Sequence, residues 1–210
     1  FVNKAIVLAP LSVVKNWEKE VAKWLGSARL QPLVALGDKD DVSKTIDNFK
    51  SGHYRCLLTS YEVFMKYSTQ LNGSCDLLIL DEGHRLKNLN NKTLQCFAVF
   101  SCKRRIILTG TPLQNRLEEL YACCEFINPG IFPNLATFRK VFINPITAGL
   151  KKNASRDDHS LAADRSKELS KILASFILRR SASILENILP PKHEYFLLLR
   201  LTEAQKAAYK

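Results

Sequence analysis

The sequence predicts an α/β fold: a three-layer, doubly wound parallel sheet with helices on both faces, followed by a mainly helical C-terminal extension. Short β-rich runs alternate with stretches of helical periodicity up to about residue 127, and this alternation is typical of parallel sheets built from βαβ units. Asn128-Pro129-Gly130 then interrupts the alternation, and mainly helical patterns follow.

The elements of the sheet domain follow from periodicity and from turn residues. Strands are predicted at residues 5–9, 31–36, 56–60, 76–81 and 105–109. Helices are predicted at residues 11–25, 38–49, 61–71, 93–100 and 117–127. In the first helix Val14, Trp17, Val21 and Trp24 share one face, which we expect to be buried, and Ser12 is the expected cap.

The extension has a different pattern. We expect a short amphipathic segment at 137–142, a polar loop at 148–160 and a long helix at 161–178. A strand is predicted at 194–201 that returns to the sheet domain. Thr202 and Gln205 have the spacing of a capping box, which predicts a final helix.

Composition restricts the partners. The chain has 31 Lys and Arg against 20 Asp and Glu, which gives a formal charge of +11. A charge of this sign and size favours a polyanionic partner, with nucleic acid as the first candidate and an acidic membrane surface as the second. No apolar run reaches transmembrane length, and no signal-peptide pattern is present.

The six cysteines lack metal-ligand spacing, so we expect core thiols in a reducing compartment. The basic run Lys103-Arg104-Arg105 is interpreted as a solvated loop.

The stretch around Asp81 has the strongest chemical signal. Four apolar residues run into Asp81, Glu82, Gly83 and His84, a pattern typical of a buried parallel strand whose carboxyl end carries acids. Adjacent carboxylates are unfavourable there unless a cation joins them, and Mg²⁺ with nucleotide phosphates is the usual solution. Asp81 is the expected metal ligand, and Glu82 is expected to orient or deprotonate a water. The alternative is a strand that ends in a solvated acidic turn.

A second stretch follows the last predicted strand of the sheet. Thr109 and Thr111 flank Gly110, so two hydroxyls stand at a strand end. Hydroxyls in this position can bond to carboxylates at a neighbouring strand end, which predicts a link from Thr109 or Thr111 to Glu82 or His84. A simple Gly-Thr-Pro turn is the alternative.

These stretches resemble the motifs of one ATPase family. Residues 81–88 and 108–115 resemble motifs II and III of the SWI/SNF-type ATPases, which are double-stranded DNA translocases within the DExx-box helicase superfamily. Residues 8–17 and 58–62 resemble their motifs Ia and Ib. The resemblance covers essentially the whole chain, and several further segments resemble the recombination-repair branch, the Rad-fifty-four type: residues 126–130, 138–140, 144–146 and 176–180.

The resemblance implies a P-loop NTPase fold, with residues 1–127 as most of the first RecA-like lobe and residues 128–210 as its helical extension. It implies ATP and Mg²⁺ as cofactors, Asp81 as metal ligand, Glu82 as the residue acting on water, and His84 as the link to motif III. The coupling motif would comprise Thr109, Gly110, Thr111 and Gln114. The residues implied to touch the DNA backbone are Ser12, Lys15, Ser60 and Tyr61.

The phosphate-binding loop of such enzymes is missing from the sequence. No G-x-x-x-x-G-K-[ST] occurs in these 210 residues, and the resemblance places that loop before motif Ia. The second lobe, with its arginine fingers, is also missing. We therefore expect a piece of a longer protein that does not hydrolyse ATP by itself.

The predicted function is part of an ATP-dependent double-stranded DNA translocase acting in homologous-recombination DNA repair or chromatin remodelling, in the nucleus. Its expected partners are duplex DNA and either a RecA-type recombinase filament or nucleosomes, with no membrane. Two alternatives stay open: a DExH-type RNA helicase, and a non-catalytic DNA-binding scaffold with a degenerate motor. Gly-Thr-Pro followed by Gln-Asn argues against the first, and the retained Asp81 and Glu82 argue against the second.

Overall fold

The computed structural model describes residues 1–83, 96, 97, 99–110, 117–180, 189, 190 and 193–209. In this part of the chain one parallel sheet contains the strands β1 (Ala5–Ala9), β2 (Leu33–Ala35), β3 (Cys56–Ser60), β4 (Leu77–Asp81) and β5 (Arg104–Leu108). Their order is β2-β3-β1-β4-β5, and each neighbouring pair is parallel. The predicted α/β class with a parallel sheet is therefore confirmed.

Helices connect and follow the strands. They are α1 (Leu11–Leu25), α2 (Lys39–Lys50), α3 (Tyr61–Leu71), α4 (Leu117–Ile127), α5 (Leu135–Phe138), α6 (Asn144–Gly149), α7 (Arg156–Leu173) and α8 (Glu203–Ala208). A π-helical turn, Arg139–Ile143, joins α5 to α6. Among the described helices, none has both the length and the apolar character needed to cross a membrane. The predicted helix at 93–100 lies mostly outside the described residues.

Alternating strand residues face two separate hydrophobic cores. Ile6 and Leu8 of β1 belong to a core that also contains side chains of α2 and α3. Val7 and Ala9 belong to the other core, which contains Val14 of α1. Burial on both faces is typical of an inner parallel strand, and it gives the three layers that the sequence predicts.

The start of α1 differs from the prediction. The residue before the helix is Pro10, no side chain caps the first turn, and Ser12 lies inside the helix, so the predicted cap is wrong. Proline is well suited to a helix start because it has no N–H to satisfy. The predicted apolar face is also only partly buried, because Val14 is fully buried whereas Trp24 is 74% exposed.

Arg105 is a structural anchor rather than part of a solvated loop. Strand β5 begins at Arg104, and the Arg105 guanidinium lies 4.6 Å from the centroid of the Phe126 ring. It donates hydrogen bonds to four carbonyl oxygens, those of Cys102, Phe126, Phe97 and Phe100. Burial lowers the pKa of Arg105. The basic residue therefore joins the end of α4 to β5 by donating to partly buried carbonyl groups.

Aromatic side chains fill the core beneath α4. Phe138 lies at the centre, with ring centroids 4.9 Å from Phe132, 5.0 Å from Tyr121 and 5.2 Å from Phe142. Phe138 and Phe142 lie on either side of the start of the π-helical turn. This cluster fixes the packing of α4, α5 and the turn.

The described residues form two compact units, residues 1–166 and residues 167–210, and the division falls within α7. The boundary predicted at residue 127, between the lobe and its helical extension, stays a prediction. Helix α6 ends at Gly149 and helix α7 begins at Arg156, so the loop predicted at 148–160 is wrong at both ends. Ser155 and Asp158 explain this start, because the backbone N–H of each residue donates to the side chain of the other, at 3.1 Å. This reciprocal pair resembles a capping box.

In the second unit the predicted capping box is confirmed, since the side chains of Thr202 and Gln205 each accept from the other's backbone N–H at the start of α8. The strand predicted at 194–201 is absent from the structure, where residues 193–200 have no regular secondary structure. Tyr195 and Leu198 are 84% and 97% exposed. A strand needs a hydrogen-bonded neighbouring strand, and the described residues form no β ladder with this segment.

The prediction that the cysteines are core thiols agrees with the structure for most of them. All six are free thiols, and four of them are buried: Cys56, Cys102, Cys123 and Cys124. Burial raises the pKa of Cys56 to about 11 and that of Cys124 to about 12. Buried thiols with a raised pKa are poor nucleophiles, so these residues serve packing.

Candidate active site

The strand register brings the predicted site residues to one edge of the sheet. Ala9 at the end of β1 pairs with Ser60 at the end of β3, and Asp81 at the end of β4 pairs with Leu108 at the end of β5. Since Leu8 also pairs with Leu80, the carboxyl ends of these four strands meet. Open α/β sheets bind ligands at this edge.

Asp81 is the last residue of β4 and is held by three hydrogen bonds. Its Oδ2 accepts from the Trp17 indole Nε1–H at 2.8 Å, and its Oδ1 accepts from the Glu82 backbone N–H at 3.0 Å. Its backbone carbonyl accepts from the Tyr61 hydroxyl at 2.7 Å. Residues of α1 and α3 therefore fix the position of this carboxylate.

Glu82 adopts an unusual backbone conformation. Its φ of 52° lies in the left-handed region, which is uncommon for residues other than glycine and is concentrated at functional sites. The Oε2 atom of Glu82 is buried. This conformation ends the extended strand at the second of the two adjacent acids.

Gly83 permits a close approach between this turn and β5. A Cβ at position 83 would lie only 2.6 Å from Cγ2 of Ile107. The β-branched Ile107 has little rotamer freedom with which to move away. Glycine is therefore required here for packing, and it keeps the acidic turn against the neighbouring strand.

The donor atoms at Asp81 fit Mg²⁺ that is bound together with a nucleotide. Among the described residues, no group of three or more His, Cys, Asp or Glu side chains could hold a metal ion. Mg²⁺ is commonly held by one or two carboxylates together with substrate phosphates and waters. One carboxylate at a strand end, next to a second acid, matches that mode of binding.

The four predicted DNA contacts divide into two pairs. Ser12 and Lys15 are exposed on α1. Ser60 and Tyr61 are only 2% and 3% exposed, and the Ser60 hydroxyl caps α3 by accepting from the Val63 N–H at 3.2 Å. The role of all four residues stays a prediction, but burial favours a structural role for the second pair.

The predicted coupling motif is described only in part. Thr109 is half-buried and Gly110 is exposed directly after β5. His84, Thr111 and Gln114 lie outside the described residues. The predicted link between the two stretches therefore stays a prediction.

Sequence reasoning missed the role of Trp17. The residue was assigned to the buried face of α1 by its helical spacing, and it does pack partly against the core on that face. Helical spacing does not indicate where the indole N–H points. A partly buried tryptophan usually finds an acceptor for this group, and this tendency is the signal in the sequence that points to a polar contact.

A parallel five-stranded sheet with adjacent acids at the carboxyl end of an inner strand fits the RecA-like fold that the sequence predicts. The chain belongs to the SNF2-related family, because the SNF2-related domain matches residues 1–210. The resemblance to SWI/SNF-type ATPases is thereby confirmed.

Curated relatives agree with this membership. The chain is 44% identical over 214 residues to the Arabidopsis thaliana Protein CHROMATIN REMODELING 25, with 99% of the chain aligned. It is 40% identical over 210 residues to the Homo sapiens DNA repair and recombination protein RAD54B, with 100% of the chain aligned. The chain spans 23% of the length of each relative.

A solved structure confirms the fold. The Sulfolobus solfataricus SWI2/SNF2 ATPase core in complex with dsDNA matches with a TM-score of 0.69 and 31% identity. The match covers 99% of this chain and 40% of that one. The predicted similarity to the recombination-repair branch is supported by the relatives named RAD54 and RAD54B.

Proposed function

We propose that this chain is part of an ATP-dependent double-stranded DNA translocase that acts in recombinational DNA repair or chromatin remodelling. The observation that carries the proposal is the pair Asp81 and Glu82 at the carboxyl end of β4, in a chain of the SNF2-related family. The names of the relatives support the two biological roles.

The acidic edge would perform the hydrolytic chemistry. Asp81 would hold Mg²⁺ through a carboxylate oxygen, and bound Mg²⁺ would neutralise charge on the nucleotide phosphates. Glu82 would orient or deprotonate the attacking water. Its left-handed backbone and buried Oε2 support a fixed position for that carboxylate, since a catalytic base must be held in place before reaction.

The exposed surface of α1 would contact the DNA backbone. Ser12 and Lys15 offer a hydroxyl and an ammonium group, and contacts of this type bind phosphate without reading sequence. The formal charge of +11 supports a polyanionic partner. The complex of the Sulfolobus solfataricus core with dsDNA supports duplex DNA as that partner.

The names of the same relatives support a biological setting. The whole protein would act in the nucleus, where DNA repair and chromatin remodelling would take place. A RecA-type recombinase filament or nucleosomes would be its macromolecular partners beside DNA.

The test uses the intact protein and compares ATP turnover with duplex DNA and with single-stranded RNA. We expect strong stimulation by duplex DNA, which decreases at high salt because phosphate contacts release counterions. Stimulation by RNA without stimulation by duplex DNA would contradict the proposal and indicate an RNA helicase.

The variant Glu82→Gln separates a motor from a scaffold. We expect turnover to fall by about 10²- to 10⁴-fold, the usual contribution of a general base, while ATP and duplex DNA still bind. Normal repair or remodelling by cells that carry only this variant would indicate a non-catalytic scaffold.

A further inference from the structure

Helix α1 presents two different groups on two different faces. Trp17 packs partly against the core and donates its indole N–H to Asp81 Oδ2, across 64 positions of sequence. Lys15 is exposed and lies about 200° around the helix axis from Trp17, at 3.6 residues per turn. One rigid helix thus joins a solvent-facing cation to the carboxylate at the end of β4.

The two oxygens of the Asp81 carboxylate are held differently. Oδ1 accepts from the next backbone N–H, that of Glu82, so this bond is local. Oδ2 accepts from a side chain on another element, the indole of Trp17. Any shift or rotation of α1 relative to β4 therefore changes the donor at Oδ2 and leaves the donor at Oδ1 in place.

We infer that Trp17 is a positioning residue that orients the Asp81 carboxylate and transmits the binding of duplex DNA on α1 to the metal site. This inference rests on the proposed function and adds a physical route for the stimulation of ATP turnover by DNA. Phosphate contacts at Lys15 fix α1, α1 fixes the indole, and the indole fixes the carboxylate. Outer-shell hydrogen bonds of this kind orient metal-binding carboxylates.

The same helix contains a matched control. Trp24 donates its indole N–H to Glu20 Oε2, also at 2.8 Å, but Trp24 is 74% exposed and its acceptor lies on the same helix. Trp17→Phe and Trp24→Phe therefore remove the same kind of hydrogen bond from one helix. They differ in whether the acceptor is the candidate metal ligand.

The first measurement is ATP turnover by the intact protein as a function of Mg²⁺ concentration, with and without duplex DNA. For Trp17→Phe we expect the half-saturating Mg²⁺ concentration to rise by about 10- to 100-fold, the usual effect of losing an outer-shell partner. The stimulation by duplex DNA should decrease in the same variant. Trp24→Phe should match the wild type in both quantities.

The second measurement does not depend on turnover. The intact protein is labelled with 5-fluorotryptophan, and the fluorine resonance that is missing from Trp17→Phe is assigned to Trp17. Mn²⁺ added with a non-hydrolysable ATP analogue should broaden this resonance strongly and the Trp24 resonance far less, because paramagnetic broadening decreases steeply with distance. Duplex DNA alone should shift the Trp17 resonance.

The outcomes separate this inference from the proposed function. If the wild type is stimulated by duplex DNA but Trp17→Phe keeps both its Mg²⁺ dependence and its stimulation, the inference is wrong and the function stands. Reduced stimulation at an unchanged half-saturating Mg²⁺ concentration also overturns the inference, because general damage to α1 gives that result. A wild type without DNA-stimulated turnover overturns both.

Discussion

Strand β4 has an aspartate at each end, and the two carboxylates are held in different ways. Asp76 precedes the strand, and its Oδ2 accepts from the backbone N–H groups of Asn3 and Lys4 at 2.8 and 3.0 Å. Asp81 ends the strand, and its Oδ2 accepts from the side chain of Trp17. The amino-end acid is thus bound to the main chain, and the carboxyl-end acid is bound to a helix.

The difference separates an acid with a structural role, Asp76, from the acid that we propose as the metal ligand, Asp81. Both backbone donors of Asp76 belong to the segment that leads into β1, so its carboxylate joins two strands. The pKa of Asp76 is lowered by these hydrogen bonds, first that of Asn3 and then that of Lys4. Asp81 instead lies at the edge where parallel sheets bind ligands, beside a second acid. Residue type alone does not distinguish the two roles.

The largest predicted effect tests this comparison directly. Asp81→Asn in the intact protein should lower DNA-stimulated ATP turnover by more than about 100-fold, because a metal ligand matters more than its outer-shell partner. Asp76→Asn should leave turnover close to that of the wild type. Equal losses in the two variants would show that the comparison is wrong.

A second prediction concerns the turn that follows Asp81. Gly83→Ala would place a Cβ 2.6 Å from Cγ2 of Ile107, and overpacking of this kind costs about 1–3 kcal/mol. We expect lower stability of the lobe, measured by native-state hydrogen exchange, and lower turnover because Glu82 moves. The second substitution Ile107→Ala should restore part of the loss in a double-mutant cycle.

Ser60 also lies at the carboxyl edge, and a third prediction tests whether its role is structural. Ser60→Ala removes a helix cap and should destabilise α3 by about 1 kcal/mol, with little change in the salt dependence of DNA binding. Lys15→Ala should instead reduce the slope of log affinity against log salt by about one. A reduced slope for Ser60→Ala would support the DNA contact predicted from the sequence.

The smallest predicted effect concerns low pH and Asp76, the aspartate at the amino end of β4. Because the pKa of Asp76 is lowered in the fold, this carboxylate stabilises the fold above its ordinary pKa of about 3.9. The contribution is lost as the pH falls through the lowered value of the folded state. Hydrogen-exchange protection of the Asn3 and Lys4 amides should decrease in that range, and Asp76→Asn should weaken this pH dependence.

Local patterns predicted the regular elements well. The limits predicted for β3 and α3 agree with the structure, Cys56–Ser60 and Tyr61–Leu71, because apolar runs and helical periodicity are strong signals there. The start of α7 was missed although Ser155 and Asp158 have the spacing of a capping box. The strand predicted at 194–201 has the right residue types, but a strand also depends on a neighbour that local sequence does not specify.

The candidate site could be predicted in part. Asp81 and Glu82 were found because an apolar run ending in two acids is a local pattern. The bond from Trp17 to Asp81 joins residues 64 positions apart and depends on how α1 packs against the sheet. The carbonyl contacts of Arg105 likewise depend on tertiary packing, so its charge alone suggested a solvated loop.

The π-helical turn Arg139–Ile143 has a consequence for the spacing of the chain. A π-helical turn holds one residue more than an α-helical turn, so it is equivalent to a single-residue insertion that the fold has accommodated. Deleting one residue there would let the turn close as an ordinary α-helical turn, so the residues that follow would keep their direction. Phe138 and Phe142, whose rings now lie 5.2 Å apart, would then be three positions apart instead of four and would still share one helix face. We therefore expect this turn to tolerate a one-residue deletion better than a regular α-helix of the same chain does.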